Sequence, residues 1–243
     1  MKHRKSFVIG PLILTLAAVM LAVFAWQNWS DTRAPAAVAE PSQTTPGTAS
    51  ETAPPGPTMP LMDFSGLLAQ NSDVIGRIVI EGIGLDYPVV QGTDNSYYLT
   101  HTAARKYDTR GALFLDYRAS QDFTNFKSII YGHYKKTGEM FGKLKYLREQ
   151  ETFDRVTEGI LYTPEKTYRL EIFASALTPA NSEFYHFVFL SQSSREKHLA
   201  ALLGQLVCYR DIGVMSEDRL LVLSTCSYEY KNARTVILAR IAE

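Results

Sequence analysis

The stretch Leu220–Ile241, LLVLSTCSYEYKNARTVILARI, carries the reading of the fold. Its two ends, Leu220–Ser224 and Thr235–Ile241, are apolar runs rich in aliphatic and β-branched residues, and the polar segment between them is long enough to reverse the chain. The pattern predicts strand, loop, strand. Cys226 stands where the first strand emerges into the loop, a common way to present a reactive side chain on a rigid sheet. Arg234 heads the second strand, so a hairpin returns its guanidinium toward the strand end that carries Cys226. A fixed cation there can hold an oxyanion.

Working outward, six further runs read as strands: Arg77–Ile80, Leu85–Val90, Ala112–Leu115, Ser128–Tyr131, Ile160–Thr163 and Tyr168–Leu177. With the two ends of the hairpin they make about eight. Helices are expected at the opening segment LMDFSGLLAQN, capped by Asp63 or Ser65, at Glu139–Leu147 and at Ser191–Cys208. In the last of these Leu199, Leu202, Leu203 and Leu206 share one face, and Cys208 ends it. Strands dominate, which predicts a mainly β fold, a closed or nearly closed β-barrel with short helical insertions.

Upstream, the chain changes character twice. Phe7–Trp26 is a run of 20 uncharged, mostly apolar residues, enough at about 1.5 Å per residue to cross about 30 Å of hydrocarbon. Lys2, Arg4 and Lys5 precede it, so the reading is a single-pass anchor with a cytoplasmic tail at 1–6, a transmembrane helix at 7–26 and everything later outside the cell membrane. A cleaved signal peptide is the competing reading, with Ala37-Val38-Ala39 as its site, but the apolar run exceeds an ordinary signal core. Residues 27–60, rich in Ala, Pro, Thr and Ser, read as a disordered linker, and 61–243 as one extracellular domain.

Composition removes several functions. The 25 basic residues balance the 25 acidic ones, leaving no basic field for nucleic acid. Two cysteines cannot build a disulfide framework, and no metal-ligand or phosphate-loop motif occurs, so neither metal nor cofactor is expected. What remains is nucleophile chemistry. His133 follows the strand ending in Tyr131-Gly132, another transition from apolar run to polar loop, and with Cys226 and Arg234 it makes a possible thiol, base and cation set. The residues alone leave open a buried structural role for each cysteine and other histidines as the base.

Two blocks, IIYGHYKKTGEMFGKLKYL (Ile129–Leu147) and LVLSTCSYEYKNARTVILARI (Leu221–Ile241), closely resemble sortases, the membrane-anchored cysteine transpeptidases of Gram-positive bacteria. VVQGTDNSYYL (Val89–Leu99) and a long helix before the cysteine strand are similar to class B members. The resemblance implies an eight-stranded sortase barrel and a two-step acyl transfer. Cys226 would attack the Thr carbonyl of a C-terminal sorting signal of the NPxTN or SPxTG type on a secreted protein, His133 would move the proton, and Arg234 would stabilise the oxyanion. The acceptor would be an amine of peptidoglycan or of a pilin. Asn95 and Leu99 match groove-lining positions, Ser224 and Thr225 flank the nucleophile, and Glu229 could steer a basic acceptor or be a solvated loop carboxylate. Tyr131, Met140 and Phe141 read as packing, and Cys208 as core. Competing functions are a cysteine endopeptidase using the same three residues and a non-catalytic receptor for sorting signals.

Overall fold

The structure is a computed structural model, and it describes residues 59–242. The tail at 1–6, the apolar run at 7–26 and nearly all of the linker lie outside the described residues. Among the described residues no helix is long and apolar enough to cross a membrane.

A short helix α1, Ser65–Gln70, opens the domain, and its first turn is held by Asp63, whose carboxylate accepts from the Ser65 N–H at 2.9 Å. Strands β1 (Val74–Ile80) and β2 (Leu85–Val90) form an antiparallel hairpin. Strand β3 (Leu113–Leu115) then runs parallel to β2, and β4 (Lys127–Tyr131) antiparallel to β3. A 3-10 helix, Phe141–Arg148, leads into α2, Gln150–Arg155, and on to β5 (Glu158–Tyr162) and the long β6 (Thr167–Pro179). Helix α3 (Gln192–Leu203), β7 (Leu206–Tyr209), β8 (Arg219–Cys226) and β9 (Ala233–Ala242) complete the chain.

The sheet order is β5-β1-β2-β3-β4-β8-β9-β6-β7, and a β5–β6 pairing closes it. Eight strands therefore form the closed barrel, the eight that hydrophobic runs mark in the sequence, and β7 is an addition. β6 makes this possible by its length. One edge pairs with β9 throughout, while the other is shared between β5, on Glu171 and earlier residues, and β7, on Ala174–Ala176.

The expected helix over Ser191–Cys208 is corrected here: α3 stops at Leu203, Gly204 caps it, and Leu206-Val207-Cys208-Tyr209 pairs with β6 as a strand. β-branched and aromatic side chains, with an unpaired edge of β6 within reach, outweigh the helical spacing of the leucines. Cys208 is core as expected, 4% exposed, its thiol donating to the Arg148 carbonyl at 3.4 Å. The helix expected at Glu139–Leu147 is the 3-10 segment that starts at Phe141.

Alternation along the strands divides the interior in two. Leu221 and Leu223 of β8, Ile237 and Ala239 of β9 and Ile130 of β4 fill the barrel with Phe141, Leu144 and Leu147 of the 3-10 helix. Their neighbours Leu220, Val222, Val236, Leu238 and Ile129 point outward and pack under Phe184, Leu199 and Leu202. α3 and the segment before it thus roof the outer face of β4, β8 and β9.

Candidate active site

Register brings the chemistry together. β4 and β8 run parallel with Tyr131 beside Ser224. Two residues beyond that rung stand His133, just past the end of β4, and Cys226, the last residue of β8, so the parallel pairing brings both to the same end of the sheet. Gly132 continues the pairing by donating its N–H to the Ser224 carbonyl at 3.1 Å. On the other side of β8, Cys226 pairs antiparallel with Arg234, which in turn pairs with Thr178 of β6. Cys226 and Arg234 thus share a rung, and His133 lines the same cleft from the segment that follows β4.

Parity sets the face. Cys226 falls in phase with Val222 and Ser224, whose side chains point outward, so this rung lies on the outer face of the sheet under the β6–α3 connection. A cleft of about 370 Å³ opens there. Cys226, His133 and Arg234 line it with Asn95, Leu99, Ser224 and Thr225, and its remaining walls include Phe114, Tyr131 and Tyr185. Cys226 is half-buried, whereas Cys208 is buried.

The His133 ring is oriented from behind. Its Nε2 lies 2.7 Å from the Leu99 carbonyl oxygen, which can only accept, so Nε2 carries a proton and Nδ1 is left to exchange one. Gly111 makes this approach possible. At φ 63° it adopts a left-handed backbone, and a Cβ there would meet the Tyr98 carbonyl oxygen at 2.4 Å and the His133 ring at 3.1 Å. Gly132 is equally confined, since a Cβ would come within 2.3 Å of Leu113 Cδ2. Arg234 donates to its neighbour's carbonyl, Ala233 O, at 3.0 Å, and among the described residues no carboxylate ion-pairs with it.

Asn95 is held at both ends of its amide: Nδ2 donates to Asp116 at 3.0 Å, and Oδ1 accepts the Tyr117 N–H at 3.1 Å. Ser224 shares a 2.7 Å hydrogen bond with the Tyr185 hydroxyl, and Tyr185 stacks on Tyr131. The Thr225 hydroxyl is buried without a partner. Glu229 does not line the cleft. It sits in an adjoining recess of about 190 Å³, bonded to Arg148 and to the Ser227 hydroxyl.

Three residues escaped the sequence reading. Asp116 is fully buried and accepts from Arg118, Asn95 and Tyr131. Burial alone would raise its pKa, but these bonds prevail and hold it below the ordinary carboxylate value. An acid that directly follows the apolar run ALFL was its one signal in the sequence. Tyr131, read there as packing, forms a cleft wall with its hydroxyl on Asp116 at 3.0 Å, while Met140 and Phe141 are core. Tyr185 comes from the β6–α3 connection, where no periodicity marked it. Burial pushes its hydroxyl up to about 12, so it stays a neutral hydrogen-bonding group.

A barrel that sets a thiol, an imidazole and a guanidinium on the walls of one cleft has the parts of a cysteine acyl-transfer enzyme. Comparison with known proteins makes the class specific. The Sortase domain family model matches residues 78–242. Sortase B of Listeria monocytogenes is 34% identical over 173 residues, 70% of each chain. The crystal structure of Clostridium perfringens sortase B superposes with a TM-score of 0.71 at 30% identity, covering 74% of this chain and 100% of that one. A Streptococcus pyogenes class B sortase involved in pilus biogenesis gives 0.68 at 33% identity, over 73% of this chain and 97% of that one. The chain belongs to the sortase family of cysteine transpeptidases, and its relatives are of class B.

Proposed function

We propose that this protein cleaves a C-terminal sorting signal of a secreted protein after its Thr and joins the new carboxyl end to an amine of peptidoglycan or a pilin. The observation that carries the reading is that His133, Cys226 and Arg234 line one cleft, Cys226 and Arg234 on one rung of the β8–β9 ladder.

In the first step the Cys226 thiolate forms a bond to the Thr carbonyl carbon. Arg234 faces the oxyanion that develops, an interaction whose removal costs about 100- to 1000-fold in hydrolases of this logic. The C–N bond then breaks as His133 gives its proton to the leaving amine. In the second step the acceptor nitrogen bonds to the same carbon and yields a proton to His133, the C–S bond breaks, and the thiolate is restored. Leu99 contributes through its backbone, because its carbonyl sets the tautomer of His133. Asn95, Ser224 and Thr225 lie where the signal peptide would lie, and Tyr131 and Tyr185 would pack against it. The apolar run at 7–26 would anchor the chain, with the catalytic domain outside the membrane, where both substrates are found.

The test is mass spectrometry of the detergent-solubilised full chain mixed with NPxTN, SPxTG and LPxTG peptides, with and without glycine or diaminopimelate amines. The expected result is a thioacyl mass on Cys226 that resolves into an amine-linked product, absent from Cys226→Ala. Cleavage that persists in Cys226→Ala would overturn the reading. Hydrolysis that no amine diverts would make the protein an endopeptidase, and binding without an adduct would make it a receptor.

A further inference from the structure

Cys226 and Arg234 form the last rung of the β8–β9 ladder, and beyond them the chain runs through the loop from Ser227 to Asn232 before it returns. End rungs fray, because nothing beyond them holds the strands. Here something does. The Ser227 N–H donates to the Ala233 carbonyl at 2.9 Å, and its hydroxyl accepts from Thr235 at 3.3 Å. The same hydroxyl donates to Glu229, and Glu229 pairs with Arg148.

Arg148 ends the 3-10 helix whose Phe141, Leu144 and Leu147 are fully buried in the end of the barrel, so the chain of bonds reaches a rigid anchor. Tyr228 adds an edge-on contact, 5.2 Å between centroids, to Tyr134, the residue after His133. Burial opposes the charge on Glu229, yet the bonds from Ser227 and Arg148 hold its pKa at about 2, so the carboxylate is ionised throughout the working range.

We infer that Arg148, Glu229 and Ser227 form a clamp that holds the open end of the β8–β9 hairpin on the barrel and thereby positions Cys226 against Arg234 and His133. Glu229 is a positioning residue, acting through Ser227 on the nucleophile, rather than a contact for the acceptor amine. The role rests on the transpeptidase reading above, in which Cys226 is the nucleophile. Preorganisation of this kind is costly to lose: displacement of a reacting group by about 1 Å can reduce rate about 100-fold.

The experiment measures acyl-transfer kinetics and hydrogen exchange in the full-length chain. Arg148→Met and Glu229→Ala are each expected to lower kcat about 10- to 100-fold, with KM for peptide and amine within about threefold of wild type. The double variant should be no slower than either single one. Backbone amides between Ser224 and Val236 should exchange faster in all three. Glu229→Gln keeps one of the two acceptor oxygens and should recover part of the rate, whereas a charge that attracts an amine would be lost as fully in Gln as in Ala. Lys145→Ala, in the same recess but outside the clamp, should leave both readouts unchanged. A raised KM for the amine at unchanged kcat would overturn the clamp, as would wild-type kcat with unaltered exchange. Should a single variant lose its melting transition, Glu229→Gln and the exchange data decide in its place. An inactive wild type would count against the transpeptidase reading alone, since exchange reports the clamp without turnover.

Discussion

Individual side chains in this cleft act through partners that hold them. Cys226 and Cys208 share a chemistry but not an environment: one lies half-buried at a strand end, the other is 4% exposed with its thiol on a backbone carbonyl. A thiol reagent should therefore modify one cysteine in the native protein and both after denaturation, which mass counting before and after denaturant checks. Asp116 serves as a buried post for Asn95, Tyr131 and Arg118. Asp116→Asn should cost about 1–3 kcal/mol in urea unfolding, because it takes a charged acceptor from three donors. It should also raise KM for the signal peptide, since Asn95 and Tyr131 both line the cleft. The lowered pKa of Asp116 makes its contribution to stability present above its ordinary value of 3.8, and lost as pH falls through the lower folded value. Gly111→Ala should both destabilise the fold and slow turnover, because on a left-handed backbone the new methyl group would strike the Tyr98 carbonyl oxygen and press on the ring of His133. Cys226 and Arg234 were legible in the sequence because they mark the two ends of one local hairpin. Asp116 was not, because its importance lies in donors that arrive from Asn95, more than twenty positions before it, and from Tyr131.

At the scale of elements, the connection between β6 and α3 forms the roof of the cleft and is fastened by a buried lysine. Lys127, 1% exposed at the start of β4, donates to the Phe184 carbonyl at 2.9 Å and pairs at 2.9 Å with His198 Nε2 of α3. Burial lowers the Lys127 ammonium to about 7, and burial together with Lys127 lowers His198 to about 3, so the imidazole is neutral and accepts. Between about 7 and the ordinary value of 10.5, the unfolded chain binds a proton that the folded chain has released. Stability from this group is therefore present above 10.5 and is lost as pH falls through that window to about 7. Urea midpoints of wild type should rise with pH across the window, and Lys127→Met should flatten that rise. An unchanged slope in the variant would show that Lys127 is not its source. Of the roof, the helix was legible from its leucine spacing, but the segment Ser182–Leu190 was not, for it is apolar without period and its partners come from β4 and α3.

For the whole molecule, one closed barrel whose strands contribute to the apolar clusters on both of its faces implies that the described domain unfolds as a unit. Ile237 of β9 is fully buried within the barrel, and Ile237→Ala should cost about 2–5 kcal/mol, read as a lower urea midpoint at unchanged slope. A change of slope would indicate that part of the barrel opens separately. The eight barrel strands were visible in the sequence, as was the β8–β9 hairpin that carries Cys226 and Arg234, because alternation and turn chemistry act over a few residues and leave a local trace. The strand β7 was hidden, because its short run becomes a strand only when β6 offers it an edge. His133 was a candidate by position, but its place beside Cys226 depends on the parallel pairing of β4 with β8, strands separated by nearly ninety residues. So does the choice of the outer face of the sheet. Sequence by itself determined which segments become the eight barrel strands and which side chains stand at their ends, since these are properties of short stretches of chain. Only the tertiary structure decided which ends meet, on which face and under what roof, because pairing between distant strands is set by the closure of the whole sheet around its core.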